Sequence, residues 1–408
     1  MIICITEYEK LKIGKRDDED KKIISTKTAN ALYELEKEKN KKLFIWGRNT
    51  VTVKNWIGVI SVEGITLEIL PKISSIDNKN KVINSIMNMV KKVYDVKIQK
   101  NISANIGIKQ EGFIDILVYI LIKELEYQLN RGILKEYSKV EKNLNILKGR
   151  LIAHKNIQKN IITPNKFYCK YSELNDNNAI NKIIKFTLNI VKSLNISRKY
   201  KSDVKMLLNL FEDVSINENI FDVIKTLKYN RQNSRFKESV NLCKMFIESY
   251  GGALFGGEKN VNSFLIDMND LFEKYIFKSF KEIKGLDVKY QGENKYLLRN
   301  SNNIKKIRLK PDITIINEIN KKFIVDTKWK IIDKKIDIKD IYQMNAYKDI
   351  ISDASEVILL FPKCNKNDRI VEDYFFSDNN EKKLKVRTID ILNINSKVLN
   401  TELTTILN

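Results

Sequence analysis

Two aspartates and a lysine interrupt apolar runs in RLKPDITIINEINKKFIVDTKWK, residues 308–330: Asp312, Asp326 and Lys328. Strand side chains alternate faces, so Asp326 and Lys328 share one face, while Val325, Thr327 and Trp329 point the other way. NEINKK (317–322) suits a tight turn. Pairing symmetric about Ile319 sets Asp312 directly opposite Asp326. Like charges facing across a ladder repel, and a divalent cation reverses the sign of that interaction. Hard oxygen donors with room for water and phosphate suit Mg²⁺. Lys328 would stand one strand step from such a cation, placed to orient a water and to offset charge on a scissile phosphate. Asp-x-Lys alone reads as solvated strand surface in a lysine-rich chain. The conjunction is stronger: Pro311, one of four prolines, precedes Asp312, both acids lie in β-branched runs, and the spacing fits one hairpin.

The elements that must position these groups span a chain of 408 residues, enough for two or three domains. It carries 73 Lys and Arg against 51 Asp and Glu, a net charge of +22, which permits binding to polyanions without proving it. The single histidine, His154, argues against a histidine triad or a multi-histidine metal site. Cys4, Cys169, Cys243 and Cys364 form no CxxC pair, so neither a zinc site nor a disulfide framework is expected, and a reducing cytosol is. The first residues lack a signal-peptide layout, and the longest apolar run, FIDILVYILI (113–122), is too short to span a bilayer. A soluble, cytoplasmic protein that avoids membranes is expected.

The patterning predicts a multidomain α+β chain. Residues 1–78 form a small N-terminal β-rich domain, with strands over 42–46, 51–62 and 65–73 and one helix over 28–40. Residues 79–245 follow helical spacing at 85–96, 113–129, 179–194 and 204–214 and form a central helical region. Residues 246–408 form a C-terminal α/β domain. Its expected order is a helix (263–284), two short strands near 287–298, strands 307–316 and 322–332, a helix (338–351), a strand (356–361) and a last strand near 383–392. The glycine cluster SYGGALFGGEKN (249–260) has the spacing of a phosphate-binding loop at Gly252 and Gly257. Glu258 stands where the lysine belongs, so an interdomain loop is the better reading.

The hairpin resembles the PD-(D/E)xK nuclease superfamily. That resemblance implies metal binding by Asp312, Asp326 and the backbone carbonyl of Thr327, with Lys328 assisting the attacking water. Asp326 replaces the more frequent Glu. The superfamily's first helix commonly adds an acid; in FLIDMNDLFEKYIF (264–277) Glu273 matches best, ahead of Asp267 and Asp270. Gln343 and Tyr347 in DIYQMNAY (340–347) are four apart on one helical face. They match a Q-x-x-x-Y pattern that some branches place beside the DNA and the active site; an ordinary amphipathic helix with Tyr347 in the core is an equal alternative.

A resemblance spanning the chain is to McrC, the nuclease subunit of McrBC-type restriction systems that respond to 5-methylcytosine. It is carried by the order of IGVISVEGITLEILPKI (57–73), LNILKGRL (144–151), YCKYSELNDNNAINKIIK (168–185), FLIDMNDLFEKYI, KPDITI, DTKWK, DIYQMNAY and VILLFP (357–362). It implies an Mg²⁺-dependent endodeoxyribonuclease acting on modified DNA. It also implies an McrB-like AAA+ GTPase partner, contacted and stimulated by the part before the nuclease. The chain has no complete nucleotide-binding motif, consistent with a motor supplied in trans. The alternatives are an autonomous PD-(D/E)xK nuclease of repair or defence, and a scaffold that only activates the partner.

Overall fold

A computed structural model describes residues 1–72, 79–96, 112–251, 261–292, 295–332, 335–363, 371–376, 379–392 and 396–407. The chain divides into two compact units, residues 1–114 with 249–408, and residues 115–248. Residues from both ends of the sequence thus contribute to the first unit.

The reason is a sheet shared by both ends of the first unit. Its strand order is Ile2–Thr6, Ile65–Leu70, Trp56–Val62, Val261–Asp267, Tyr250–Gly251. Trp56–Val62 is buried along nearly its whole length. One edge pairs antiparallel with Ile65–Leu70 and the other with Val261–Asp267. Leu265 joins the hydrophobic cluster of Ile3, Ile5, Ile60, Leu67 and Ile69. At Gly58 (φ +134°) a Cβ would come 2.0 Å from the Phe264 carbonyl oxygen, so only glycine lets these two strands approach. A four-stranded sheet, Ile23–Ser25, Lys10–Gly14, Thr50–Val53, Phe44–Trp46, completes the N-terminal part. The helix Thr26–Lys39, capped by Ser25, packs there through Ala29, Leu32 and Leu35.

The second sheet of this unit has six strands: Asp287–Tyr290, Ile313–Ile316, Lys322–Thr327, Glu356–Pro362, Asn379–Ile389, Asp373–Phe376. The first three pair antiparallel, and the third, fourth and fifth pair parallel. The helix Met268–Lys281 and the helix Ile338–Ile350 both serve this sheet. Met344, Tyr347 and Ile351 pack with Ile324, Leu359 and Phe361.

Several expectations need correction. The expected helix 263–284 begins as the strand Val261–Asp267 and turns helical only at Met268, where Asp267 caps it by accepting from the Asn269 N–H. A continuous apolar run cannot distinguish a strand buried on both faces from a helix. The expected strand 307–316 is two elements, Lys305–Arg308 and Ile313–Ile316, broken at Leu309–Asp312 around Pro311, which has no N–H for a ladder. The helix Ser396–Leu407 was not anticipated. The P-loop-like glycines at 252 and 257 lie outside the described residues.

In the second unit the helix Ala179–Ser193 falls where helical spacing puts it, whereas the helix expected over 204–214 runs instead over Arg198–Asn209. The unit is not purely helical: Phe167–Asn175 pairs antiparallel with Glu136–Leu144 and with Arg150–Leu151. Glu136–Leu144 is nowhere fully buried, so its polar composition hid the two-residue period. Among the described residues no helix is long and apolar enough to cross a membrane.

Candidate active site

The hairpin pairs as Ile313↔Val325, Thr314↔Ile324, Ile315↔Phe323 and Ile316↔Lys322, the register symmetric about Ile319. Asn317 closes the turn by accepting from the Lys321 N–H through its side chain at 2.9 Å. The strand starts at Ile313, so Asp312 lies just outside the ladder. It does not simply face Asp326. Its Oδ2 accepts from the Thr327 backbone N–H at 2.7 Å and from the Thr327 hydroxyl at 2.8 Å. Both bonds fall on one oxygen and leave Oδ1 for another ligand.

Asp326 is 1 % exposed, in the middle of the sheet. Its Oδ1 accepts from Gln343 Nε2 at 3.1 Å and lies 3.5 Å from the Tyr347 hydroxyl. Its Oδ2 makes no well-aligned hydrogen bond but sits 2.6 Å from the Lys328 ammonium. At that distance the two charges attract whatever the hydrogen-bond angle. Lys328 Nζ also donates to Gln343 Oε1 at 2.9 Å and lies 4.0 Å from Asp340 Oδ1. Gln343 thus bridges acid and lysine, and it donates to the Tyr347 hydroxyl at 2.8 Å. That hydroxyl in turn donates to the Lys310 carbonyl at 3.0 Å.

The helix Ile338–Ile350 delivers Gln343 and Tyr347 on one face because they are four residues apart. The helix Met268–Lys281 delivers Glu273, whose Oε1 accepts from Gln291 Nε2 at 3.1 Å. Asp267 and Asp270 serve elsewhere, Asp267 as the helix cap and Asp270 in an exposed pair with Lys274 at 2.7 Å.

Asp312, Asp326 and Glu273 are near enough to feel one another's charge. Burial, then the charges of Asp326 and Glu273, raise Asp312 above the ordinary carboxylate range, against the Thr327 hydrogen bonds. Burial raises Asp326, opposed by Lys328. Glu273 is raised by burial, with Asp270 and Asp326 adding to it. Lys328 is depressed by burial but raised more by Asp326 and Asp340, so it stays an ammonium.

Does this donor set suit a hard divalent cation? Among the described residues no three Asp, Glu, His or Cys side chains stand together as a ready-made metal cluster. The fit is to an ion that keeps much of its water and takes one or two carboxylates, which is the habit of Mg²⁺. Asp312, fixed through Oδ2 alone, and Asp326 are the hard oxygen donors that could serve such an ion.

Asp340, 6 % exposed, was quoted in the sequence motif without a role. It accepts from Lys330 Nζ at 2.8 Å and adds negative potential at Lys328. Tyr290, hydrogen-bonded to Glu273, and Gln291 were missed. So was Glu7, which meets Trp329, and no local signal could have exposed that contact.

The model of the family described as McrBC 5-methylcytosine restriction system component matches residues 51–362. No curated protein matches the chain. Among solved structures, the chain is similar to one in the refined half-complex from the tetradecameric assembly of Thermococcus gammatolerans McrB AAA+ hexamers with bound McrC. That match has a TM-score of 0.71 and 18 % identity, covering 100 % of both chains. It is also similar to a chain of the Thermococcus gammatolerans McrBC complex, at a TM-score of 0.52 and 20 % identity, covering 69 % of this chain and 88 % of that one. At these identities the likeness is one of fold.

Proposed function

This chain belongs to the McrBC family of 5-methylcytosine restriction system components, and from that membership we propose that it is the McrC-type nuclease subunit, an Mg²⁺-dependent DNA endonuclease. It hydrolyses phosphodiesters of modified DNA under the control of an McrB-like AAA+ GTPase, which it binds and stimulates. The observation that carries the reading is that an ion pair and hydrogen bonds join Asp326, Lys328 and Gln343, with Asp312 held on the N–H and hydroxyl of the intervening Thr327. The fold likeness to a chain from an assembly of McrB hexamers with bound McrC supports the partner.

Asp312, Asp326 and the Thr327 carbonyl would hold the metal. When bound, that ion supplies Lewis acidity toward a phosphoryl oxygen and a more acidic water. The chain's own residues do the rest. Thr327 fixes Asp312 through two hydrogen bonds, so that acid needs no reorganisation. Gln343 holds Lys328 and Asp326 at one spacing, while the Tyr347 hydroxyl ties that assembly to the backbone at Lys310. As an ammonium, Lys328 donates a hydrogen bond that orients the attacking water and offsets negative charge gathering on the phosphate. Water adds through oxygen to phosphorus and the P–O bond to the leaving strand breaks.

The test is cleavage of a methylated duplex by the full chain with its cognate GTPase, GTP and Mg²⁺. Cutting that requires GTP, the partner and both aspartates is expected. Mg²⁺-dependent cutting with no partner would favour an autonomous nuclease. Stimulated GTP hydrolysis without any cutting would leave only the scaffold role.

A further inference from the structure

Between the strand Asp287–Tyr290 and Asp312 the chain makes an excursion that the six-stranded sheet does not need. Residues 295–310, KYLLRNSNNIKKIRLK, hold six cations (Lys295, Arg299, Lys305, Lys306, Arg308, Lys310) and no acid. They form a two-stranded sheet of their own, Tyr296–Arg299 with Lys305–Arg308, paired Tyr296↔Arg308, Leu298↔Lys306 and Arg299↔Lys305. Directly opposed residues share a face, so one face presents Leu298, Lys306 and Arg308 and the other Arg299 and Lys305. Every residue from 297 to 308 is exposed, including the aliphatic Leu298, Ile304 and Ile307.

An isolated two-stranded hairpin is marginally stable in water, so what fixes this one matters. Its feet are bound to the candidate active site. On the outgoing side, Gln291 donates its N–H to the Asp312 carbonyl at 2.9 Å and its side chain to Glu273. On the returning side, Leu309 is buried beside Met344 and Tyr347 and donates to the Lys295 carbonyl at 2.9 Å, and the Lys310 carbonyl accepts from Tyr347. At about 3.3 Å per residue each four-residue strand of the ribbon is roughly 13 Å long. The tip is polar: the Asn300 side chain accepts from the Ile304 N–H at 2.7 Å, and the turn carries Ser301, Asn302 and Asn303.

We propose that this ribbon is a DNA-docking arm that lies in a groove of the duplex and sets the register of the phosphodiester presented to Asp312. The inference rests on the nuclease reading for the choice of ligand. The major groove admits a two-stranded β-ribbon. Uniform positive charge on both faces matches the phosphates that flank a groove on either side. Exposed aliphatics between the cations give apolar contact with base edges, and the Asn302 amide at the tip offers a paired donor and acceptor.

The experiment measures binding of the full-length chain to a labelled methylated duplex in EDTA, across 50–200 mM salt, so that no chemistry intervenes. Replacing Arg299, Lys305 and Lys306 together by serine should lower affinity on the order of 10- to 100-fold. It should reduce the slope of log affinity against log salt by about 3, one unit for each lost phosphate contact. Lys305→Arg with Lys306→Arg should restore the slope. Replacing the exposed Lys10, Lys12 and Lys15 by serine should change it much less. An unchanged slope in the ribbon variant, or an equal loss in the Lys10/Lys12/Lys15 control, overturns the proposal. So does loss of the GTPase partner with DNA binding intact, which would make the ribbon a protein-docking element. Absence of cleavage by the wild-type complex would count against the nuclease reading alone, because the salt slope is read without catalysis.

Discussion

The indole N–H of Trp329 donates to both carboxylate oxygens of Glu7, at 3.0 and 3.2 Å, across 322 residues of sequence. Lys72 completes the contact: its backbone N–H donates to Glu7 Oε2 at 3.1 Å and its ammonium to the Trp329 carbonyl at 2.5 Å. Trp329 follows Lys328 directly and packs its ring on Phe272, next to Glu273, with centroids 5.6 Å apart. The ends of the N-terminal strands are thus tied to the segment that carries Lys328. Glu7 is 2 % exposed, and burial, partly opposed by Lys72 and Trp329, pushes its carboxyl up to about 7.

That value gives a pH prediction. A carboxyl raised above its unfolded value contributes stability that is fully present below the unfolded pKa, near 4.5, and is lost as pH rises through about 7. The loss amounts to about 3 kcal/mol. Glu7→Met should cost stability at pH 4.5, where it removes the hydrogen bonds. Its deficit against wild type should shrink by up to about 3 kcal/mol at pH 8. Denaturant titrations of both proteins at the two pH values measure this, and parallel pH curves would contradict it.

Asp312→Asn and Asp326→Asn should each abolish cleavage in the presence of partner and GTP, as should EDTA, with Mg²⁺ restoring only the wild type. DNA binding should survive in all three cases. Stability should separate the two sites under alanine. Asp326→Ala leaves the half-buried Lys328 without its nearest partner and should cost about 3 kcal/mol. The sequence pattern alone suggests the opposite, a gain from relieved repulsion, but neither aspartate is unpartnered.

Lys328→Met should slow cleavage at least 100-fold while leaving Mg²⁺ affinity, read by calorimetry, within a few-fold of wild type. A variant that no longer binds Mg²⁺ would make the lysine part of the metal site.

Gly58→Ala should fail to fold, since its Cβ would meet the Phe264 carbonyl at 2.0 Å at a φ of +134°. Gly64→Ala, at a φ of +80° with open space around it, should cost only about 1 kcal/mol, for the backbone conformation alone. Comparable soluble yield and melting temperature for the two variants would show that the strand contact tolerates a side chain.

What was legible in the sequence was local. The hairpin register follows from a turn of Asn and Lys between two β-branched apolar runs, and the Gln343–Tyr347 pair follows from helical spacing. What was hidden was joined over distance. Nothing near Glu7 announces Trp329, and nothing in VNSFLID announces that its partner is the strand beginning at Trp56. The arm at 295–310 was hidden differently, because β-branched residues on both sides of Pro311 made two strands look like one.

The same lesson revises where the chain can be cut. A fragment ending near residue 245 would lack Val261–Asp267 and bare one edge of Trp56–Val62. It should aggregate, whereas residues 115–248, a compact unit, should express as a soluble, folded piece. Size-exclusion profiles of the two fragments check this.

The shared sheet also sets a timetable for synthesis. The strand Trp56–Val62 leaves the ribosome with Ile65–Leu70 close behind, but its other neighbour is translated about two hundred residues later. At typical elongation rates the nascent chain carries that open edge for about 10–40 s, while residues 115–248 emerge and fold in between. The hairpin of Ile313–Ile316 and Lys322–Thr327 emerges later still, so a chain released before that point lacks this hairpin, and one released before Val261–Asp267 lacks the closed N-terminal sheet as well.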